Sequence, residues 1–135
     1  MNTDIRVTVD HNFVATVEIC KPPNNFFSNS LISGLADIFE ELDHDDQVRV
    51  SVLCSEGKHF CAGADFSGNT TGNDTKGLYA GAVRIFRCAK PIVAAVQGAA
   101  IGGGLGLALA ADFRIASPEA RFSANFARLG FHQGF

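Results

Sequence analysis

Pro91-Ile-Val-Ala-Ala-Val-Gln-Gly-Ala-Ala-Ile-Gly-Gly-Gly-Leu-Gly-Leu-Ala-Leu-Ala-Ala-Asp112 sets the architecture of this chain. Ile92 to Val96 is a short apolar run behind a proline and closed by Gly98, the pattern of a buried strand. Gly102, Gly103 and Gly104 form a turn without side chains. From Leu105 to Ala111 every residue is apolar and all but Gly106 favour helix, which predicts a buried helix. The first N–H groups of a helix lack internal partners and carry partial positive charge, and bare glycines let an oxygen approach them closely. The turn can therefore hold an anion, or a carbonyl oxygen becoming one. A plainer reading is that the glycines only let helix and strand pack tightly. Spacing excludes two nucleotide motifs. Gly-x-Gly-x-x-Gly fails because Gly102 and Gly104 lead to Leu107, and Gly104 and Gly106 lead to Leu109; the Gly-Lys-Ser/Thr ending of a phosphate-binding loop is absent.

The rest of the chain repeats the alternation. Ile5, Val7 and Val9 alternate with polar neighbours, and Val14 to Ile19 follows a short polar turn, predicting a hairpin that ends at Lys21-Pro-Pro-Asn-Asn25. Ser28 can cap a helix from Asn29 to Asp43 whose Leu31, Leu35, Ile38, Phe39 and Leu42 share one face. Asp43-His-Asp-Asp46 reads as a solvated turn rather than a metal site. Val48 to Cys54 predicts a strand, Ser67 to Gly77 a polar glycine-rich loop, Leu78 to Cys88 a helix, Asp112 to Ala116 a strand, Ser117 to Arg121 a turn, and Phe122 to Phe126 a short strand or irregular segment. Strands alternating with helices argue for an α/β fold.

Composition narrows the function. The chain has 135 residues, 47% of them hydrophobic, and a formal net charge of -3 without a basic run. That is enough for a single core, and it gives no support for a nucleic-acid partner. The longest apolar run is broken by Gln97 and glycines, which argues against a membrane span. Cys20, Cys54, Cys61 and Cys88 show no C-x-x-C spacing, so reduced thiols in a cytoplasmic protein are expected. Gly130-Phe-His-Gln-Gly-Phe135 is an unusual ending, which suggests a fragment or a domain completed by another segment.

Ser55-Glu-Gly-Lys-His-Phe-Cys-Ala-Gly-Ala-Asp-Phe66 contains a second small-residue segment after a strand, Ala62-Gly-Ala64. Ser55 and Lys58 match S-x-x-K, but at a strand end around a glycine instead of on a helix. Two strand ends presenting bare N–H groups could converge on one oxygen. Gly57-Lys-His-Phe-Cys-Ala-Gly-Ala-Asp-Phe66, Lys90 to Gly104 and Ala111-Asp-Phe-Arg-Ile-Ala116, in that order and spacing, resemble the crotonase (enoyl-CoA hydratase/isomerase) superfamily. The resemblance covers residues 5 to 135, the N-terminal half of a family domain. It implies a crotonase-like spiral of ββα units over residues 1–135, truncated relative to the family. It also implies an acyl-CoA substrate that brings coenzyme A with it, no permanently bound cofactor, and a homo-trimer or hexamer for the intact protein. The thioester carbonyl would accept from the amides of Ala64 and Gly103, with Ala62, Gly63, Asp65, Phe66 and Ser67 lining the acyl-CoA. Lys21 and Lys58 are weaker candidates for the CoA phosphates.

Where the family's hydratases carry two catalytic glutamates, this chain has Gly106 and Phe126; a third acidic position used by dienoyl-CoA isomerases is Gly134. Adding water to a double bond needs a positioned acid/base group. His132 is the ionisable candidate that remains, as general base or water-orienting group. His59 is expected to flank the site, and Asp112 and Glu119 to be structural. An acyl-CoA enzyme, a non-catalytic acyl-CoA-binding module and an inactive fragment are the three readings that follow.

Overall fold

The computed structural model describes residues 4–26, 28–64, 75–130 and 132. Strands β1 (Ile5–Val9) and β2 (Val14–Ile19) form the expected antiparallel hairpin, with Ile5 opposite Ile19 and Val9 opposite Ala15. Asp10 shapes its turn: one carboxylate oxygen accepts the N–H groups of Asn12 and Val14 at 2.8 and 3.0 Å. Helix α1 (Asn29–Asp43) begins where Ser28 Oγ accepts the Leu31 N–H at 3.3 Å. It buries Leu31, Ile32, Leu35, Ala36, Phe39 and Leu42, while Ile38 packs at the border of the core. Removing one such leucine side chain from water stabilises the fold by roughly 2–3 kcal/mol.

The remaining elements are β3 (Val50–Ser55), α2 (Thr75–Phe86), β4 (Ile92–Val96), β5 (Ala99–Ile101), α3 (Gly103–Ala110), β6 (Phe113–Ala116), β7 (Arg121–Ser123) and a 3-10 turn over Asn125–Leu129. Several boundaries differ from the sequence expectation. Val48 is a buried core residue ahead of β3 rather than part of it. Helix α2 starts at Thr75, within the segment read as loop, and the preceding part of that loop lies outside the described residues. Arg121 opens a strand instead of closing a turn, and Phe126 belongs to the 3-10 turn. Strand β5 was not legible, because three residues carry no periodicity. Helix α3 begins inside the glycine run, with Gly102 as its N-cap, and its Leu109 is 52% exposed, so one side of this apolar helix lacks cover among the described residues.

The large sheet has the order β1-β2-β3-β4-β6, and every pair beyond the hairpin is parallel. Parallel neighbours need crossovers, and α1, α2 and α3 supply them. Alternate residues of β2 (Ala15, Val17, Ile19) and β4 (Ile92, Ala94, Val96) are buried on one face with Phe39, Phe60, Leu53, Ile85 and Leu107. β5 and β7 pair in a second, smaller parallel sheet, and Cys61 bridges to Ala100 at its side. Each large-sheet strand from β3 onward is thus followed by a short strand or bridge in the second sheet and then a helical segment. This is the repeating ββα unit that the sequence resemblance implies.

The charged turn after α1 is a clamp. Asp43 accepts the Ala89 and Lys90 N–H groups at 2.8 and 2.9 Å, and Lys90 Nζ donates to the carbonyls of Leu42 and Asp45. His44 caps the helix end and its Nδ1 lies 2.8 Å from the Glu40 carbonyl oxygen.

Candidate functional site

The two small-residue turns meet. The Phe60 N–H donates to the Gln97 carbonyl at 2.8 Å, the Cys61 N–H to Ala99 O at 3.0 Å, and the Ile101 N–H back to Cys61 O at 3.0 Å. This ladder carries Ala62-Gly-Ala64 out beside β5, at the point where Gly102-Gly-Gly104 turns into α3. A Cβ on Gly104 would collide with the Cys61 carbonyl oxygen and lie 2.9 Å from its carbon, so the helix start touches the other segment backbone to backbone. Gly63 (φ +108) and Gly102 (φ +56) hold left-handed backbone, with Ile101 O 3.5 Å from where a Gly63 Cβ would stand. Gly102 is pinned through its N–H to Ser123 O at 2.8 Å, and its carbonyl accepts from Gly106 at 3.1 Å.

Amide occupancy separates the candidates. Ala62 donates its N–H to Asn24 O at 2.9 Å and is therefore committed to the fold. Ala64 forms an isolated β-bridge, and Gly103 is the first residue of α3, whose N–H has no partner inside the helix. Gly63, Gly103 and Gly104 are buried, while Ala62 and Ala64 are half-buried. The geometry sets Cys61 against Gly104 and Gly63 beside Ile101, the neighbours of the two candidate donors. Asp65, Phe66 and Ser67 lie outside the described residues. His132 is exposed, two residues past Gly130, whose left-handed backbone (φ 75) ends the 3-10 turn; it is not part of the buried ladder.

At the two positions where the resemblance implies carboxylates, Gly106 is buried within α3, and the Phe126 ring stands 3.8 Å from where a Gly102 Cβ would be. Asn125 Oδ1 stands at 3.1 Å from the same point. The side chains against the helix start are therefore an amide and an aromatic ring. Asn125 went unnoticed in the sequence because nothing about an isolated asparagine marks it.

Several polar residues hold the loop that precedes Ala62. Ser55 Oγ donates to Phe60 O at 2.6 Å, which gives Ser55 a structural task and removes the acyl-enzyme reading. Gln97 Nε2 donates to Ser55 O and Gly57 O at 2.8 and 3.1 Å. His59 flanks the loop as expected: its Nδ1 accepts the Ala99 N–H at 3.1 Å, so the ring proton sits on Nε2. A Cβ on Gly98 (φ +57) would collide with Lys58 O and come 2.6 Å from that ring nitrogen. Asn25, fully buried, donates from Nδ2 to Glu56 O and His59 O at 2.8 and 2.6 Å and accepts the Lys21 N–H at 2.9 Å. Asp112 accepts the Ile92 N–H at 2.8 Å, a structural contact. Lys21 pairs with Asp4 at 3.6 Å. Burial pushes the Cys88 thiol up to about 11, and the Cys20 and Cys54 thiols are raised for the same reason, so these three stay protonated near neutrality. Among the described residues no group of three or more His, Cys, Asp or Glu could hold a metal, and no helix is long and apolar enough to cross a membrane.

The arrangement matches a known class. The enoyl-CoA hydratase/isomerase family model matches residues 10–135. The chain is 39% identical over 137 residues to the "Probable enoyl-CoA hydratase" of Mycobacterium tuberculosis, covering 96% of this chain and 53% of that protein. It is 37% identical over 126 residues to the human peroxisomal bifunctional enzyme, covering 92% of this chain and 17% of that protein. An enoyl-CoA hydratase/isomerase crystal structure from Pseudoalteromonas atlantica superposes with a TM-score of 0.83 at 36% identity, over 95% of this chain and 52% of that one. The chain belongs to the enoyl-CoA hydratase/isomerase family and has its crotonase-like fold. It spans about half the length of the mycobacterial relative and of that solved structure.

Proposed function

We propose that this chain supplies the two-amide oxyanion site of an acyl-CoA thioester enzyme, with Ala64 and Gly103 as donors. The observation that supports it most is the contact of Gly104 with the Cys61 carbonyl, which sets the two donor segments side by side. A thioester carbonyl bound there gains negative charge on its oxygen as an α-proton leaves. Fixed N–H donors and the positive end of α3 stabilise that charge without reorganising, and one such donor contributes roughly 3 kcal/mol to the transition state. Coenzyme A arrives as part of the substrate, along the segment that Ala62 and Gly63 begin and Asp65, Phe66 and Ser67 continue. With Gly106 and Phe126 at the carboxylate positions, hydration by a glutamate pair has no groups to run on in this chain. The chemistry we assign is isomerisation or decarboxylation through an enolate, or hydrolysis through a tetrahedral oxyanion that expels the CoA thiolate, with His132 as the candidate base. The cysteine spacing supports a cytoplasmic location, and the intact protein is proposed to be a homo-trimer or hexamer.

The same absent carboxylates favour a second reading, a non-catalytic acyl-CoA-binding module. Calorimetric titration with butyryl-CoA, against free CoA, tests the shared premise. Tighter binding of the thioester supports the amide site; equal binding of the two ligands, or no binding of either, overturns it for this chain. Turnover of a thioester panel then separates enzyme from binder, and His132→Ala should abolish turnover at unchanged affinity if the enzyme reading holds.

A further inference from the structure

We propose that Asn25 is a positioning residue for the Ala64 amide; the functional part of this inference rests on the reading of Ala64 as an oxyanion donor. Asn25 is one of two buried polar residues among those described, and it is fully enclosed. It adopts φ 49, a left-handed conformation that asparagine tolerates better than most side chains. Its own N–H donates to Lys21 O at 2.9 Å while its Oδ1 accepts the Lys21 N–H at 2.9 Å, closing the Lys21–Asn25 turn on itself. Its Nδ2 uses both hydrogens on the opposite loop, at Glu56 O and His59 O. All the hydrogen-bonding groups of that carboxamide except one oxygen lone pair are engaged.

The consequence reaches the site through one residue. Asn24, the residue just before it, accepts the Ala62 N–H at 2.9 Å. Ala62 is thus fixed to the turn, the turn is fixed by Asn25 to the loop, and the loop leads through Phe60 and Cys61 back to Ala62. This ring of contacts closes two residues before Ala64. It leaves the Ala64 N–H with little freedom to move relative to Gly103, whose helix is seated on Cys61. The active geometry would be preorganised by a side chain that touches neither substrate nor the donor itself.

Asn25→Gly separates side chain from backbone, because glycine adopts φ 49 without strain. Amide hydrogen exchange should then be about tenfold faster at Ala62, one hydrogen bond's worth, with Val52 and Leu53 of β3 unchanged. Unchanged exchange at Ala62 overturns the proposal. Should the variant fail to fold, native-state exchange of the unaltered protein decides: the Lys21 and Ala62 amides should open in one step with a common urea dependence, and separate opening overturns the link. In the titration, the preference for butyryl-CoA over CoA should fall about tenfold while CoA affinity holds. A parallel fall for both ligands counts against positioning. If the unaltered protein shows no thioester preference, the oxyanion reading fails, and the exchange result still decides whether Asn25 fixes the segment.

Discussion

Gly104 and the carbonyl oxygen of Cys61 are in direct backbone contact, with no room between them for a single methyl group. That contact joins the start of α3 to the strand-end segment that carries Ala64. It seats the first turn of α3 on Cys61, three residues before Ala64.

Gly104→Ala forces a Cβ into that contact. The neighbours are the Cys61 carbonyl oxygen and carbon and its Cβ, all fixed by the backbone, so none can rotate away, and overpacking of this kind costs about 3 kcal/mol. Urea unfolding should show the midpoint falling with the slope unchanged. A variant as stable as the parent would mean α3 can slide off Cys61.

Gly103→Pro removes one donor. Gly103 is the first helical residue, a position where proline is tolerated because its N–H bonds nothing inside the helix. The fold should survive, and the thioester preference over free CoA should vanish. In a turnover assay the loss should be on the order of 100-fold. Retained preference would move the oxyanion site elsewhere.

Arg84 ties α2 to α1, donating to Asp37 at 2.6 Å and to both carboxylate oxygens of Glu40 at 2.7 and 2.6 Å. The hydrogen bond from Arg84 holds the Glu40 carboxyl below its ordinary range. A depressed carboxylate adds stability above its unfolded pKa of about 4.3 and loses it as pH falls through the folded value. Arg84→Met should therefore lower the melting temperature slightly at pH 7, and the gap to the parent should close below pH 4. Because all three side chains are substantially exposed, added salt should shrink the gap too. A gap constant from pH 7 to pH 3 would assign the effect to packing by the arginine stem.

Cys88 should resist alkylation. With its thiol pushed up to about 11 by burial, and by the nearby Asp43 and Glu40 carboxylates, little thiolate exists at pH 8. Iodoacetamide followed by peptide mass spectrometry should show Cys88 unmodified in the native protein and fully modified in urea. Rapid native labelling would show that this region opens readily.

The amphipathic period of α1, its Ser28 cap and the alternation of β1 and β2 were legible, because each signal is local and repeats over several residues. The helix start at the glycine run was legible from the glycines themselves, whereas a meeting of that run with Ala62–Ala64 was an expectation the family resemblance carried. Strand β5 was not: three residues cannot show a period, and they become a strand only through β7 and the Cys61 bridge. Asn25 looked like the end of a strand. Its role depends on Glu56 and His59, more than thirty positions away, and no local pattern reports such a partner.

By itself, then, the sequence determined the alternation of strands and helices, the glycines that open α3, and the residues Gly106 and Phe126 at positions where the family resemblance implies carboxylates. Hydrophobic periodicity and residue identity are carried by neighbours in the chain. Only the tertiary structure decided that Ala62 is committed to Asn24, that Ser55 and His59 brace a loop, and that Phe126 and Asn125 stand against the helix start. Those outcomes depend on which backbone groups meet across the sheet, and that is settled by packing between segments far apart in sequence.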